Sequence, residues 1–460
     1  MVALASRVRT SLALVGAAGS LVAALLLHPR TQPSGPVDGD TGDDGMRITA
    51  RLTSTSILAG AMDHDLAVTI TVPGNHTTVR PPLSLAVVID RSGSMTDSPE
   101  AQPMTNAKLA AARLIEQLDD GDAFAIVTYS SGDETVMAMR RATTANKQAA
   151  RSAIDAIIAD GATCISCGIT RGSNELARTP VHGGLRRMVL ISDGQANEGI
   201  FERSEPGGLA QLASATAARG VSISTIGVGL DFDEVTMVQL ANVGRGNYYF
   251  VEDTQKLPEL FARELGNLAD TVAADARLVL TDAPGARIEE AYGYPLMRSG
   301  DHVIIPIADL RAGETRKVVL RVAVAPAALG PMTLSQVELG WRRVSDGVMR
   351  RATTAARVDV VDDPAAVAAT IDAHTVEIVE QALSARALEE ASEVYETHGA
   401  DAAQQVLQLR GAQVRANQNL APAAASKLDT DNNAAMDTIR TVPSVKAKKV
   451  NRVRAYELAR

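Results

Sequence analysis

Leu85 to Ile89 is an unbroken apolar run, closed by Asp90 and followed by Ser92 and Ser94 at alternate positions. A run that is apolar at every position predicts a strand buried on both faces, as in a parallel sheet. The polar turn after it then lies at the strand's carboxyl end, where open α/β sheets place their ligand sites. A carboxylate and two hydroxyls on one short turn can converge on a hard divalent cation.

The surrounding chain alternates strand and helix over residues 83–270. Strands are expected at 85–90, 123–130, 187–192, 221–227 and 247–251. Helices are expected near 105–118, 146–159, 167–178, 208–219, 234–243 and 255–269, with a short antiparallel edge strand at 134–140. That order predicts an α/β, doubly wound, mostly parallel sheet with helices on both faces. Residues 271–361 return to β character, with turns at Pro284-Gly285, Gly313 and Gly330-Pro331, and read as a β-sandwich. Residues 46–82 are also strand-like and are expected to complete that sandwich, leaving the α/β domain as an insertion. From Asp363-Pro364 the chain turns helical, since Asp caps a helix and Pro suits its first position. His398-Gly399 divides a helical hairpin over 362–420. The tail, 421–460, ends in Lys446, Lys448, Lys449, Arg452 and Arg454 and reads as solvated, with contact to an anionic membrane or envelope polymer as the alternative.

At 460 residues the chain is too long for one ordinary core, and 46% apolar residues with 22% charged residues describe a folded protein. The net charge of −9 argues against nucleic acid as a partner. Aromatic residues make up only 3% of the chain, which argues against a stacking cleft. No G-K-[ST] phosphate loop, G-x-S-x-G elbow or H-E-x-x-H pair is present, and no catalytic constellation accompanies the Asp90 turn.

Arg7 and Arg9 precede an uncharged, mostly apolar run from Ser11 to Leu27, and a Pro/Gly/Asp-rich linker follows over 29–45. Residues 1–28 therefore read as a signal peptide or signal anchor. The lack of an A-x-A site beside the run favours an uncleaved anchor. Either form predicts an extracytoplasmic protein that is membrane-anchored or secreted.

Two further segments match the Asp90 turn. Asp160-Gly161-Ala162-Thr163 is a G-x-T loop, with Gly168 where it enters a helix. Met188-Val189-Leu190-Ile191-Ser192-Asp193-Gly194 is a second buried run closed by S-D-G. Together with D-x-S-x-S at 90–94, these segments resemble the von Willebrand factor A family. The wider layout is similar to bacterial envelope proteins and inter-alpha-trypsin inhibitor heavy chains. The resemblance implies a metal-ion-dependent adhesion site. In it Asp90 and Asp193 are the acidic residues, Ser92 and Ser94 are direct hydroxyl ligands, and Thr163 engages when a partner binds. The donors are all hard oxygens, which selects Mg²⁺, or Mn²⁺ or Ca²⁺, over softer metals. The implied partner is a protein that supplies an acidic side chain to the ion.

The two cysteines, Cys164 and Cys167, directly follow Thr163. In an extracytoplasmic protein a disulfide that stiffens the loop is the default reading. A redox switch on metal or partner affinity is also open, as is a thiol–disulfide redox protein using this pair. A third reading is an assembly factor of the kind some A-domain proteins serve.

Overall fold

The computed structural model describes residues 42–74, 81–99, 102–181, 184–193, 208–228, 233–251, 270–442 and 444–458. The expected leader, most of the linker and the expected helix at 255–269 lie outside the described residues.

Strands β1 (Arg47–Leu52), β2 (Ser56–Leu58) and β3 (Met62–Thr71) precede the α/β region. That region contains β4 (Leu83–Asp90), α1 (Pro103–Glu116), β5 (Ala123–Tyr129), β6 (Asp133–Arg141), α2 (Thr144–Asp155) and α3 (Ile165–Ala177). It continues with β7 (Leu185–Ser192), α4 (Gly208–Ala218), β8 (Val221–Val228), α5 (Glu234–Val243) and β9 (Arg245–Val251). The strand order is β6-β5-β4-β7-β8-β9; only β6 runs antiparallel. Every residue of β4, β5 and β8 is buried, as expected for strands covered on both faces. Helices α1 and α2 pack on one face, over a core including Leu85, Val87 and Ile126. Helices α3, α4 and α5 cover the other, over Val88, Leu190 and Ile223. The chain leaves β4 for β5 on one side and later returns to β7 on its other side. The order reverses at β4, and the helices that follow β4 and β7, α1 and α4, pack on opposite faces, the arrangement that places a crevice at the strands' carboxyl ends.

The remaining strands are β10 (Thr271–Asp282), β11 (Ala286–Ala291), β12 (Met297–Ser299), β13 (His302–Pro306), β14 (Leu310–Arg311), β15 (Thr315–Val324), β16 (Gly330–Arg343) and β17 (Met349–Val361). They form two sheets, β1-β3-β15-β11 and β12-β13-β10-β16-β17-β2, that face each other across one apolar core. Strand β3 pairs with β15 along its whole length, Met62 opposite Val324 to Thr71 opposite Thr315. The α/β domain therefore enters the chain between β3 and β10. Its base is tied to the sandwich by ion pairs: Arg187 of β7 to Asp309 at 2.9 Å, and Arg245 of β9 to Asp275 at 3.3 Å, which Arg342 of the sandwich also holds at 2.8 Å.

The helical region departs from its sequence reading in two places. The segment expected to be one helix from Pro364 is split into α6 (Pro364–Ala368) and α7 (Ala373–His398). The split occurs because Ile371 bridges to Ser54 and the Asp372 side chain recaps the chain by accepting from Thr375 N–H. Gly399, at φ 84°, ends α7, and α8 (Ala400–Ala416) follows.

The larger correction concerns residues 421–460, which do not form a solvated tail. They build α9 (Pro422–Thr441) and α10 (Ser444–Leu458). Helix α10 lies along the outer edge of the α/β domain. Its Val453 and Tyr456 pack on that domain's core, and the Tyr456 hydroxyl donates to the Gly246 carbonyl at 3.1 Å. The Lys449 side chain is 1% exposed and donates to Glu234 at 3.0 Å. Arg454 donates to the Ala434 carbonyl at 3.1 Å and to Thr438 Oγ1 at 2.9 Å. Three of the basic residues that suggested a soluble tail, Lys449, Arg452 and Arg454, are thus engaged in internal pairing.

Removing one partner of a buried ion pair leaves an uncompensated charge. Lys449→Ala is expected to cost about 3–5 kcal/mol in urea unfolding. Glu234→Leu with Lys449→Met, which removes both charges and keeps the volume, should recover most of that loss.

Candidate functional site

The crevice at the end of β4 and β7 collects the residues singled out above. Asp90 is the last residue of β4, and Asp193 follows the last residue of β7. The backbone turns sharply after Asp90, and Gly93–Met95 forms one 3-10 turn. Ser92 N–H donates to Asp90 Oδ1 at 2.8 Å, which folds the turn back on the carboxylate. Ser92 Oγ and Ser94 Oγ lie 3.1 Å apart, and Ser94 Oγ donates to Asp193 Oδ1 at 3.1 Å. Four of the five expected residues are therefore linked through their side chains.

Thr163, 2% exposed, is brought alongside by its loop. The Gly161 carbonyl accepts from Gly93 N–H at 2.8 Å, and Asp160 N–H donates to the Arg91 carbonyl at 2.7 Å. These bonds stitch the Thr163 loop to the serine turn. Gly161 adopts φ 87°, a left-handed conformation that glycine reaches without a Cβ clash. On the other side Cys164 N–H donates to the Ser130 carbonyl at 2.8 Å. Cys164 and Cys167 are joined as a disulfide at the start of α3.

Asp90 is fully buried, and its hydrogen-bond partners are all neutral. Ser192 Oγ donates to Asp90 Oδ2 at 2.6 Å, and the Tyr129 hydroxyl donates to the same oxygen at 3.3 Å. Burial pushes the Asp90 carboxyl above the usual carboxylate range, and the bonds from Ser192, Ser92 and Tyr129 oppose that rise. Burial and the adjacent Asp90 charge drive the Tyr129 phenol well above its ordinary value, so it remains a neutral donor. This corner has hard oxygen donors and an excess of negative charge. Among the described residues no group of three or more His, Cys, Asp or Glu comes together. The set is instead two carboxylates with three hydroxyls.

Sequence reasoning missed two members of this corner. Ser192 lay inside the recognised S-D-G segment without a role of its own. Tyr129 ends β5, directly opposite Asp90 in the parallel register. A single hydroxyl-bearing aromatic closing an apolar strand was the available signal.

Residues 84–263 match the family model described as the von Willebrand factor type A domain. An uncharacterized protein of Escherichia coli (strain K12), YfbK, is 31% identical over 198 residues, which cover 43% of this chain and 33% of that protein. The inter-alpha-trypsin inhibitor heavy chain H1 of Sus scrofa is 29% identical over 130 residues, 26% of this chain and 14% of that one. The chain thus spans a third or less of the length of these two relatives. Among solved structures, a von Willebrand factor type A protein from Catenulispora acidiphila superposes with a TM-score of 0.66 at 19% identity. That superposition covers 93% of this chain and 97% of the other, so the likeness in fold extends through the sandwich and the helices.

The closeness of α3 to the sheet generates a test. A Cβ on Gly168 would lie 2.6 Å from Tyr129 Cδ1 and 2.9 Å from Val88 Cγ1. Gly168→Ala is expected to destabilise the protein by about 1–3 kcal/mol in chemical unfolding, because both neighbours sit in a packed core. An unchanged unfolding midpoint would show that α3 is free to back away from the sheet.

Proposed function

From a chain that carries a von Willebrand factor type A domain, we propose a protein that binds a partner protein through a divalent cation. The ion is held by Asp90, Ser92, Ser94, Thr163 and Asp193. The observation that carries this reading is the fully buried Asp90 carboxylate, whose hydrogen-bond partners are neutral, beside a second carboxylate joined to it through two serines. A buried anion without a cation is costly, and a hard ion resting on hydroxyl and carboxylate oxygens removes that cost. Mg²⁺ is the first candidate, with Mn²⁺ and Ca²⁺ as alternatives of the same chemistry.

Two carboxylates and three neutral hydroxyls, one oxygen each, fill five of the six positions of an octahedral ion and leave one open. An Asp or Glu side chain of the partner is the donor suited to it. The reading is one of binding because the assembled side chains are the oxygen donors of an ion site. An extracytoplasmic location follows from the basic and apolar residues 1–28 and agrees with the Cys164–Cys167 disulfide.

The test is calorimetric titration of the whole chain with Mg²⁺ and Mn²⁺, paired with urea unfolding. At a metal concentration about 100 times its Kd, the wild type should gain about 2.7 kcal/mol. Asp90→Asn should bind no metal, yet unfold at higher urea than wild type in EDTA, because a buried charge has been removed. Partner or acidic-peptide binding that persists in EDTA and in Asp90→Asn would falsify the reading.

A further inference from the structure

The Cys164–Cys167 disulfide is placed so that opening it acts on the Thr163 loop. Thr163 and Cys164 are consecutive, and the bridge spans the first turn of α3. Cys164 is fully buried, its Sγ accepts from Cys167 N–H at 3.3 Å, and Ser166 Oγ lies 3.5 Å from it. Its own N–H is tied to the Ser130 carbonyl. Cys167 is partly exposed, one helical turn before Arg171, which pairs with Asp133. The two cysteines therefore differ in exposure: Cys167 is the one nearer solvent, while Cys164 is enclosed and held by backbone bonds.

We propose that this disulfide is a thiol-exchange site, attacked at Cys167, through which a dithiol partner loosens the Thr163 loop. The step balances as follows. A thiolate of the dithiol attacks Cys167 Sγ, forming a mixed disulfide and releasing the Cys164 sulfur with the bonding electron pair. The dithiol's second sulfur then attacks the mixed disulfide and releases Cys167. The partner leaves as its disulfide, two electrons reside on the two cysteines, and the two thiol protons of the dithiol pass to them. With the cross-link gone, the loop keeps its backbone bonds to Arg91, Gly93 and Ser130 but loses the covalent brace on the α3 turn. The effect on cation binding rests on the metal-site reading above; the exchange itself does not.

The test uses the full chain and glutathione disulfide. Cys164→Ser should acquire one glutathione, mapped by mass spectrometry to Cys167. Folded Cys167→Ser should remain unmodified until urea is added. Thermal unfolding of both variants verifies that they are folded. In parallel, hydrogen exchange of residues 162–168 is compared in the oxidised protein, the dithiothreitol-reduced protein and the Cys164→Ser/Cys167→Ser variant. Exchange should rise in the latter two to the same degree. The Mn²⁺ affinity of both should fall about three- to tenfold, the larger figure corresponding to about 1.4 kcal/mol. Failure of Cys167 to form the mixed disulfide in a folded protein overturns the proposal, as does equal hydrogen exchange in all three forms. If no form binds Mn²⁺ while exchange still responds to reduction, the metal reading fails and the thiol site stands.

Discussion

The buried carboxylate of Asp90 is the constraint on which the carboxyl end of the sheet depends. It terminates a strand with every residue buried, so its charge has no bulk water to face. The fold answers with oriented neutral donors. Ser192 comes from the neighbouring strand on one side, Tyr129 from the neighbouring strand on the other, and Ser92 from the chain's own turn. These bonds set the relative height of β5, β4 and β7 at that edge. They also direct the turn after β4, so Ser94 reaches Asp193. Dipoles can moderate a buried charge but not neutralise it, which is the physical ground for the proposed cation.

The opposite end of the same sheet is held by charge as well. Arg187, near the start of β7, is paired with Asp309 of the sandwich, and Asp275 gathers Arg245 and Arg342. Back at the carboxyl end, helix α10 adds the buried Lys449–Glu234 pair at the start of α5, which follows β8. The strand that delivers Ser192 and Asp193 to the crevice is therefore anchored at its base to a different sheet.

The α/β core was legible from the sequence because two-sided burial imposes a simple code. Leu85–Ile89 and Met188–Ile191 are apolar throughout, and the only acids that end such runs lie at the strand ends. The three site segments were legible for the same reason: each follows a recognisable strand end or helix start. Tyr129 was not, because its role comes from lateral register with Asp90, and register between distant strands has no local signature. Strand β11 carries little strand signal, because Arg287, Glu289 and Glu290 interrupt its apolar alternation at the sheet edge. The break at Thr370–Asp372 was missed because its cause is a bridge to Ser54, more than three hundred residues away.

The C-terminal segment marks the limit most clearly. Lys446, Lys448, Lys449, Arg452 and Arg454 are a polar face by composition, and composition predicts solvent. The tertiary structure decided otherwise for three of them, because Glu234 receives Lys449 and Arg452, and Ala434 and Thr438 of α9 receive Arg454. By itself, the sequence determined the order of elements, the buried strands, and the residues that can offer oxygen to a cation. It did so because backbone periodicity and side-chain chemistry are local properties. Which strands lie side by side, which donors surround Asp90, and which charges are buried were decided only on folding. Those depend on Coulomb and hydrogen-bond partners brought together from distant parts of the chain.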